Sequence, residues 1–293
     1  MPEPPSLRPP HAVIEAIEGA APLDGAGKAL GKAVRNAVGP GPAKDALSGT
    51  WLGHALHPLL TDVVIGTFTS ASLLDVLAPG SPRAPERLLE VGLLASLPTA
   101  ATGVSDWADT EIADPRVRRA GLVHAAANVS ALAFAAASIA ARRRGSTAAG
   151  RVLGAAATGA LTAGGFIGGH LSFARGVGPN QTAFDAGPDD WTVAAGAADV
   201  PEGEPTAAIA GDTPVLLLRH GDDLHAIHDR CSHRGCLLSE GELDGHVVTC
   251  ACHGSQFDVR DGAVLRGPAT TGQPAFEARE DGGRIMVRLA GSG

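Results

Sequence analysis

The residues best suited to chemistry lie in one run, CSHRGCLLSEGELDGHVVTCACHGS, from Cys231 to Ser255. It holds Cys231-x-His233 and, after sixteen intervening residues, Cys250-x-x-His253. Each half offers one thiolate and one imidazole, so four ligands can converge from two adjacent hairpin tips. That set suits a two-iron, two-sulfide cluster, with two thiolates on one iron and two imidazoles on the other. A structural zinc accepts the same residue types. The ligand set alone does not decide.

The surroundings add a resemblance. The run CSHRGC…CACHGSQFD resembles the cluster-binding motif of Rieske proteins. The resemblance implies that Cys231, His233, Cys250 and His253 hold a [2Fe–2S] cluster. Gly235 and Gly254, lacking Cβ, would let the backbone wrap it. Ser255 would donate a hydrogen bond to a cluster sulfur, and Gly267-Pro268 would form a lid loop. All four cysteines of the chain lie in this stretch. Cys236 and Cys252 occupy the places where high-potential Rieske subunits of quinol-oxidising complexes carry a disulfide, a pair that Rieske ferredoxins and oxygenases usually lack. A disulfide there implies an oxidising compartment; two reduced structural thiols are the plainer alternative. One position departs from that family. Its Tyr two residues after the Ser is Phe257 here, and the chain has no Tyr. Donors to the cluster stabilise its reduced form. The expectation is an intermediate potential, below the quinol-oxidising complexes and above bis-thiolate ferredoxins.

The elements that must position this site divide 293 residues into two domains. The predicted class is α + β: an N-terminal four-helix transmembrane bundle and a C-terminal all-β Rieske fold of stacked antiparallel sheets with cluster-binding loops. Expected boundaries are 1–50 for a polar, partly helical tail, 51–174 for the membrane domain, 175–190 for a flexible linker and 191–293 for the Rieske domain. A net charge of −8 argues against a nucleic-acid partner. Met1 to Pro10 is Pro-rich and lacks the apolar core of a secretory signal. In the tail, Val13, Ile14 and Ile17, then Leu30, Val34 and Val38, recur at helical spacing, predicting short amphipathic helices that lie loosely on the surface.

Residues 121–141 carry no formal charge, nor do 152–174, and both read as transmembrane helices. Segments near 57–78 and 88–106 are weaker, with Asp62 and Asp75 in one and Glu90 in the other. Such residues can face a bundle interior and are then candidates for function. Gly164, Gly165, Gly168 and Gly169 make two overlapping GxxxG patterns that allow close packing of the last helix. The runs GHALHPLLTDVVIGTFTSASLLD, GLLASLPTAATGVSDW, GLVHAAANVSALAF and GGFIGGHLSFARGVG resemble bacterial four-helix membrane proteins grouped as domain of unknown function 2231. That resemblance supplies architecture and little chemistry.

Alternating four helices brings His54, His57, Asp106, Trp107, His124 and His170 to one membrane face, where the Rieske domain emerges. Two of these histidines could hold haem b, with His57, His124 and His170 foremost; alternatively, histidine and Asp62 could accept protons from a quinol. The plain reading is interfacial histidines bonded to helix-end carbonyls. Arg83, Arg87, Arg142, Arg143, Arg144 and Arg151 on the opposite loops favour that side as cytoplasmic, and hence a multi-pass cell-membrane protein with its Rieske domain outside. Arg142-Arg143-Arg144 could also act as a twin-arginine signal.

Residues 175–190 are rich in Gly, Pro and Asn and would span roughly 20–25 Å as a coil. From Trp191 short β-type runs alternate with turns. His220, His225 and His228 there read as solvent-facing strand residues. Too few residues follow the motif for a self-contained oxygenase. The function expected is one-electron transfer between a membrane donor, quinol or haem, and a redox partner protein docking at exposed imidazoles, with lipid around the helices. A redox sensor built on the cluster and the Cys236–Cys252 pair, and a tethered ferredoxin serving a soluble partner, are the alternatives.

Overall fold

The structure is a computed structural model, and residues 9–291 are described. Met1 to Arg8, most of the segment read as lacking a signal, lie outside them. Two compact units separate among the described residues: 9–37 with 56–177, and 38–55 with 178–291.

The first unit is helical: α1 (Pro9–Glu18), α2 (Asp24–Ala37), α4 (Leu56–Leu77), α5 (Arg83–Thr110), α6 (Pro115–Arg143) and α7 (Thr147–Phe173). The last four are long and apolar enough to cross a membrane. Their outer faces expose Leu59, Val63, Leu73, Leu94, Val129, Val152 and Phe166, while Thr99, Thr102, Ser105 and Ser138 are buried within. Apolar outside and polar inside is what hydrocarbon solvent selects. The expected membrane domain is therefore present. Asp114 caps α6, its side chain accepting Arg116 N–H at 2.8 Å ahead of Pro115. Of the four GxxxG glycines, Gly164 and Gly168 face α6, where a Cβ would lie 2.5 Å from Asn128 Oδ1 and 3.0 Å from His124 Cε1. Gly165 and Gly169 do not close on that helix.

Several expectations need correction in this unit. The tail is not loosely packed, because Gly27 and Gly31 let α2 lie flat against Arg118 and Glu111. Glu111, 1% exposed, is held by Arg35 at 2.8 Å and Arg118 at 2.6 Å. Asp62 is exposed on the outer face of α4, so the interior acid is Asp75 instead. Asp75 takes both arms of Arg142, at 3.0 and 2.5 Å. Arg142 is thus an interior residue of the last turn of α6 rather than a loop charge. Arg143 pairs with Glu86 and Glu90.

The second unit contains α3 (Pro42–Ser48) and ten strands. Strands β1 (Thr192–Gly196), β2 (Thr206–Ala210), β3 (Thr213–His220), β4 (Asp223–His228), β9 (Ala275–Asp281) and β10 (Arg284–Leu289) form a sheet ordered β1-β10-β9-β4-β3-β2. The short strands β5 (Glu242–Asp244), β6 (Val247–Thr249), β7 (Gln256–Asp258) and β8 (Val264–Arg266) form a second sheet in sequence order. Every strand pair is antiparallel. β3 is buried on both faces: Leu216 and Leu218 enter one apolar cluster, Val215 and Leu217 the other, as a period of two dictates. The first of these clusters, with Leu238, Val248 and Phe257, underlies the cysteine-bearing loops.

The linker reading also changes. From Gly178 the chain packs with the β unit: Gln181 N–H donates to Ser232 O at 3.0 Å, and Thr182 is buried. Asp185 accepts from Thr213 at 2.8 Å and lies 3.2 Å from His228 Nε2. That partner explains why His228 is fully buried rather than solvent-facing.

Candidate metal centre

The two cysteine-bearing turns are built alike. In the first, between β4 and β5, Cys231 N–H donates to Cys236 O at 2.8 Å and Gly235 N–H returns to Cys231 O at 2.8 Å. In the second, between β6 and β7, Cys250 N–H donates to Ser255 O at 2.8 Å and Gly254 N–H returns to Cys250 O at 3.0 Å. Gly235 and Gly254 sit at φ +78° and +77°, a left-handed conformation that suits glycine. Each turn directs two further backbone N–H groups at its sulfur, those of His233 and Arg234 at Cys231 and those of Cys252 and His253 at Cys250.

The side chains converge. Cys231 and Cys250 are each 2% exposed, free, and hydrogen-bonded to each other. That bond, with burial, pushes the Cys231 thiol far above its ordinary value; the same bond, helped by the backbone N–H groups of Cys252 and His253 and opposed by burial, draws Cys250 down to about 6. The imidazoles of His233 and His253 meet edge to face with centroids 5.0 Å apart. Burial first, then the charges of His253, Lys44 and Arg234, hold His233 well below the usual imidazole range. Two buried sulfurs on one side and two imidazoles on the other are the donor set a mixed-ligand cluster requires. The residues fit that group.

The supports come from several elements. Asp229, 1% exposed, accepts from Ser239 N–H at 2.7 Å and from its hydroxyl at 2.8 Å, zipping the ends of the first turn. Ser232 donates to Thr271 O at 2.7 Å. Cys236 and Cys252 form a disulfide, with Cα atoms 6.5 Å apart, that ties one turn to the other. Ser255 is fully buried and its Oγ accepts Ala269 N–H at 3.0 Å, which leaves its own O–H to donate. The Gly267–Pro268 loop is gripped by two residues the sequence did not single out. Asp45 accepts Gly267 N–H at 2.8 Å, and Thr50 donates to Ala269 O at 3.1 Å.

The imidazoles are only partly exposed. Asp45 and Thr50 lie far away in sequence, one in the short polar helix α3 and the other in the turn just after it, without apolar periodicity, so nothing local announced them.

The membrane-side candidates are distributed differently. His57 Nδ1 bonds Thr99 O at 2.9 Å, and Thr102 Oγ1 lies 3.2 Å away. His124 uses both ring nitrogens, Nδ1 on Gly164 O at 2.7 Å and Nε2 from Asn128 Nδ2 at 3.0 Å. His170 Nε2 meets Glu18 at 2.7 Å, and Glu18 also pairs with Arg175. His54 is exposed in the other unit and bonds its neighbour Ala55 O at 2.9 Å. Within the helical unit His57 and His124 lie near enough to feel each other's charge, whereas Asp62 is exposed.

The model of the Rieske [2Fe-2S] domain matches residues 190–277. The anthranilate 1,2-dioxygenase ferredoxin subunit of Burkholderia cepacia is 38% identical over 88 residues, 30% of this chain and 82% of that protein. The chain belongs to the Rieske [2Fe–2S] family. The Rieske domain is also 41% identical over 95 residues to the 3-phenylpropionate/cinnamic acid dioxygenase ferredoxin subunit of Escherichia coli strain K12, covering 87% of it. Among solved structures, the ferredoxin of carbazole 1,9a-dioxygenase from Nocardioides aromaticivorans IC177 is 30% identical, with a TM-score of 0.32, over 34% of this chain and 97% of that one. The helical half, residues 53–181, matches a predicted membrane protein family, DUF2231. The Rieske domain is thus joined to a membrane domain.

Proposed function

We propose that the protein is a membrane-anchored one-electron carrier. Cys231 and Cys250 hold one iron of a [2Fe–2S] cluster and His233 and His253 hold the other. The observation that carries this reading is the pair of matched turns, which present two facing thiols and two facing imidazoles. When bound, the cluster supplies exchange of single electrons. The chain's residues set the conditions. Backbone N–H groups at each sulfur and the Ser255 hydroxyl favour the more negative form. The disulfide keeps the two turns in register, and the Gly267–Pro268 loop closes one side against water.

Electrons pass to a redox partner protein, as the ferredoxin relatives support. The donor lies in the membrane, and quinol fits better than haem b. His124 has neither ring nitrogen left for iron, and His170 is committed to Glu18. His57 spends Nδ1 on helix α5 and keeps Nε2 to meet a quinol hydroxyl. The disulfide supports an oxidising side for the Rieske domain.

The test is the reduced-minus-oxidised optical spectrum of the detergent-purified protein, followed by reduction with a quinol. Broad cluster bleaching alone, reproduced by quinol, is expected. A sharp haem α-band, or failure of quinol to reduce the cluster, would overturn the donor assignment.

A further inference from the structure

Residues 38–55 fall in sequence between the membrane-domain helices α2 and α4, yet they pack with the Rieske domain. Gly41, at φ +139°, starts α3 ahead of Pro42, and Gly49, at φ +86°, ends it. The segment then works as a strap across the cluster loops. Asp45 and Thr50 grip the backbone of Gly267 and Ala269. A Cβ on Gly267 would lie 2.2 Å from Thr50 Oγ1, so the contact requires glycine there. Pro40 abuts the second cysteine turn, 3.3 Å from where a Cβ on Gly254 would stand. Between these anchors Lys44 is carried inward and is 4% exposed. Lysine is almost never fully buried unless its charge is partnered. That charge is felt at the His233 imidazole.

We propose that the strap seats the Lys44 ammonium beside the imidazole side of the cluster, and that Lys44 thereby raises the cluster's reduction potential. The inference rests on the cluster assignment above. Reduction adds one negative charge, and a cation in a poorly solvated site stabilises that charge far more than it would in water. Lys44 therefore offsets the donor lost where Phe257 stands. It acts as a positioning residue, through the field it places on the ligands.

The experiment is a redox titration of the full chain in detergent, followed by the EPR signal of the reduced cluster, with iron and acid-labile sulfide measured on each sample. Lys44→Met should shift the equilibrium with a fixed one-electron mediator about tenfold toward the oxidised form, equivalent to ~59 mV. Lys44→Arg should stay close to the parent. An unchanged potential in Lys44→Met overturns the proposal. If Lys44→Met loses its iron, Asp45→Ala/Thr50→Ala replaces it, since it loosens the strap without removing the charge. A lower potential there supports the proposal, and an unchanged one overturns it. A parent protein without iron and sulfide would instead sink the cluster assignment, and the strap's role with it.

Discussion

The two halves of this chain use histidine in opposite ways. In the helical bundle, His57, His124 and His170 spend ring nitrogens on helix carbonyls, an amide and a carboxylate. In the Rieske domain, His233 and His253 face each other beside two free thiols, on turns whose backbone N–H groups point at sulfur. The bundle histidines satisfy polar groups that hydrocarbon cannot. The loop histidines converge with partners of matching softness. Ligand chemistry is thus recognised by convergence, and a histidine at a membrane face is not enough.

The largest effect should come from the loops. Cys250→Ser should reduce bound iron and acid-labile sulfide to background, leaving the helical content by circular dichroism unchanged. Retained iron would break the contrast. In the bundle the heaviest dependence is on a charge pair rather than a histidine. Arg142→Met leaves the interior Asp75 with Arg151 alone, 3.8 Å away, and should destabilise the membrane domain by about 3 kcal/mol, read as a lower unfolding midpoint in detergent with the cluster signal intact. A smaller loss is expected from His124→Leu, about 1–3 kcal/mol, because Gly164 O and Asn128 lose their partner. Its optical spectrum should match the parent. A spectral band lost in that variant would make His124 a ligand after all.

The cluster loops were legible because each keeps its thiol, imidazole and glycine within five residues, in a run that resembles the Rieske motif. The four helices were legible from apolar length, though their ends ran past the uncharged stretches, since Arg118 and Arg142 find internal acids. What sequence hid was long-range pairing. Gly, Pro and Asn made residues 175–190 look like a free tether, yet Asp185 binds Thr213 and sits against His228. The same composition concealed the strap, whose anchoring residues Asp45 and Thr50 meet a loop more than two hundred residues away. Gly27 and Gly31 did carry a readable small-residue spacing, but the polar tail around them masked it.

The smallest effect sharpens the contrast at the end of β7 in the second sheet. Arg260 bonds Asp258 and holds its carboxyl at about 2, below the ordinary 3.8. A depressed carboxylate stabilises the fold above its unfolded value and loses that contribution as pH falls toward the folded one. Asp258→Asn should therefore lower Rieske-domain stability modestly at neutral pH and flatten its acid limb between about pH 4 and pH 2, the variant and the parent converging at the acid end. Acid unfolding followed by the cluster's visible signal reads this. An acid limb identical to the parent's would remove Asp258 from the account.

The central claim is that two thiolates and two imidazoles share one two-iron centre. Electron–nuclear double resonance on the reduced protein, combined with iron and sulfide analysis, addresses it most directly. Two coupled nitrogens on one iron, with two irons and two sulfides per chain, are the predicted result, and the cluster retained by His253→Ala should show one nitrogen coupling fewer. A stoichiometric zinc without sulfide, or a cluster showing no nitrogen coupling, would contradict the claim.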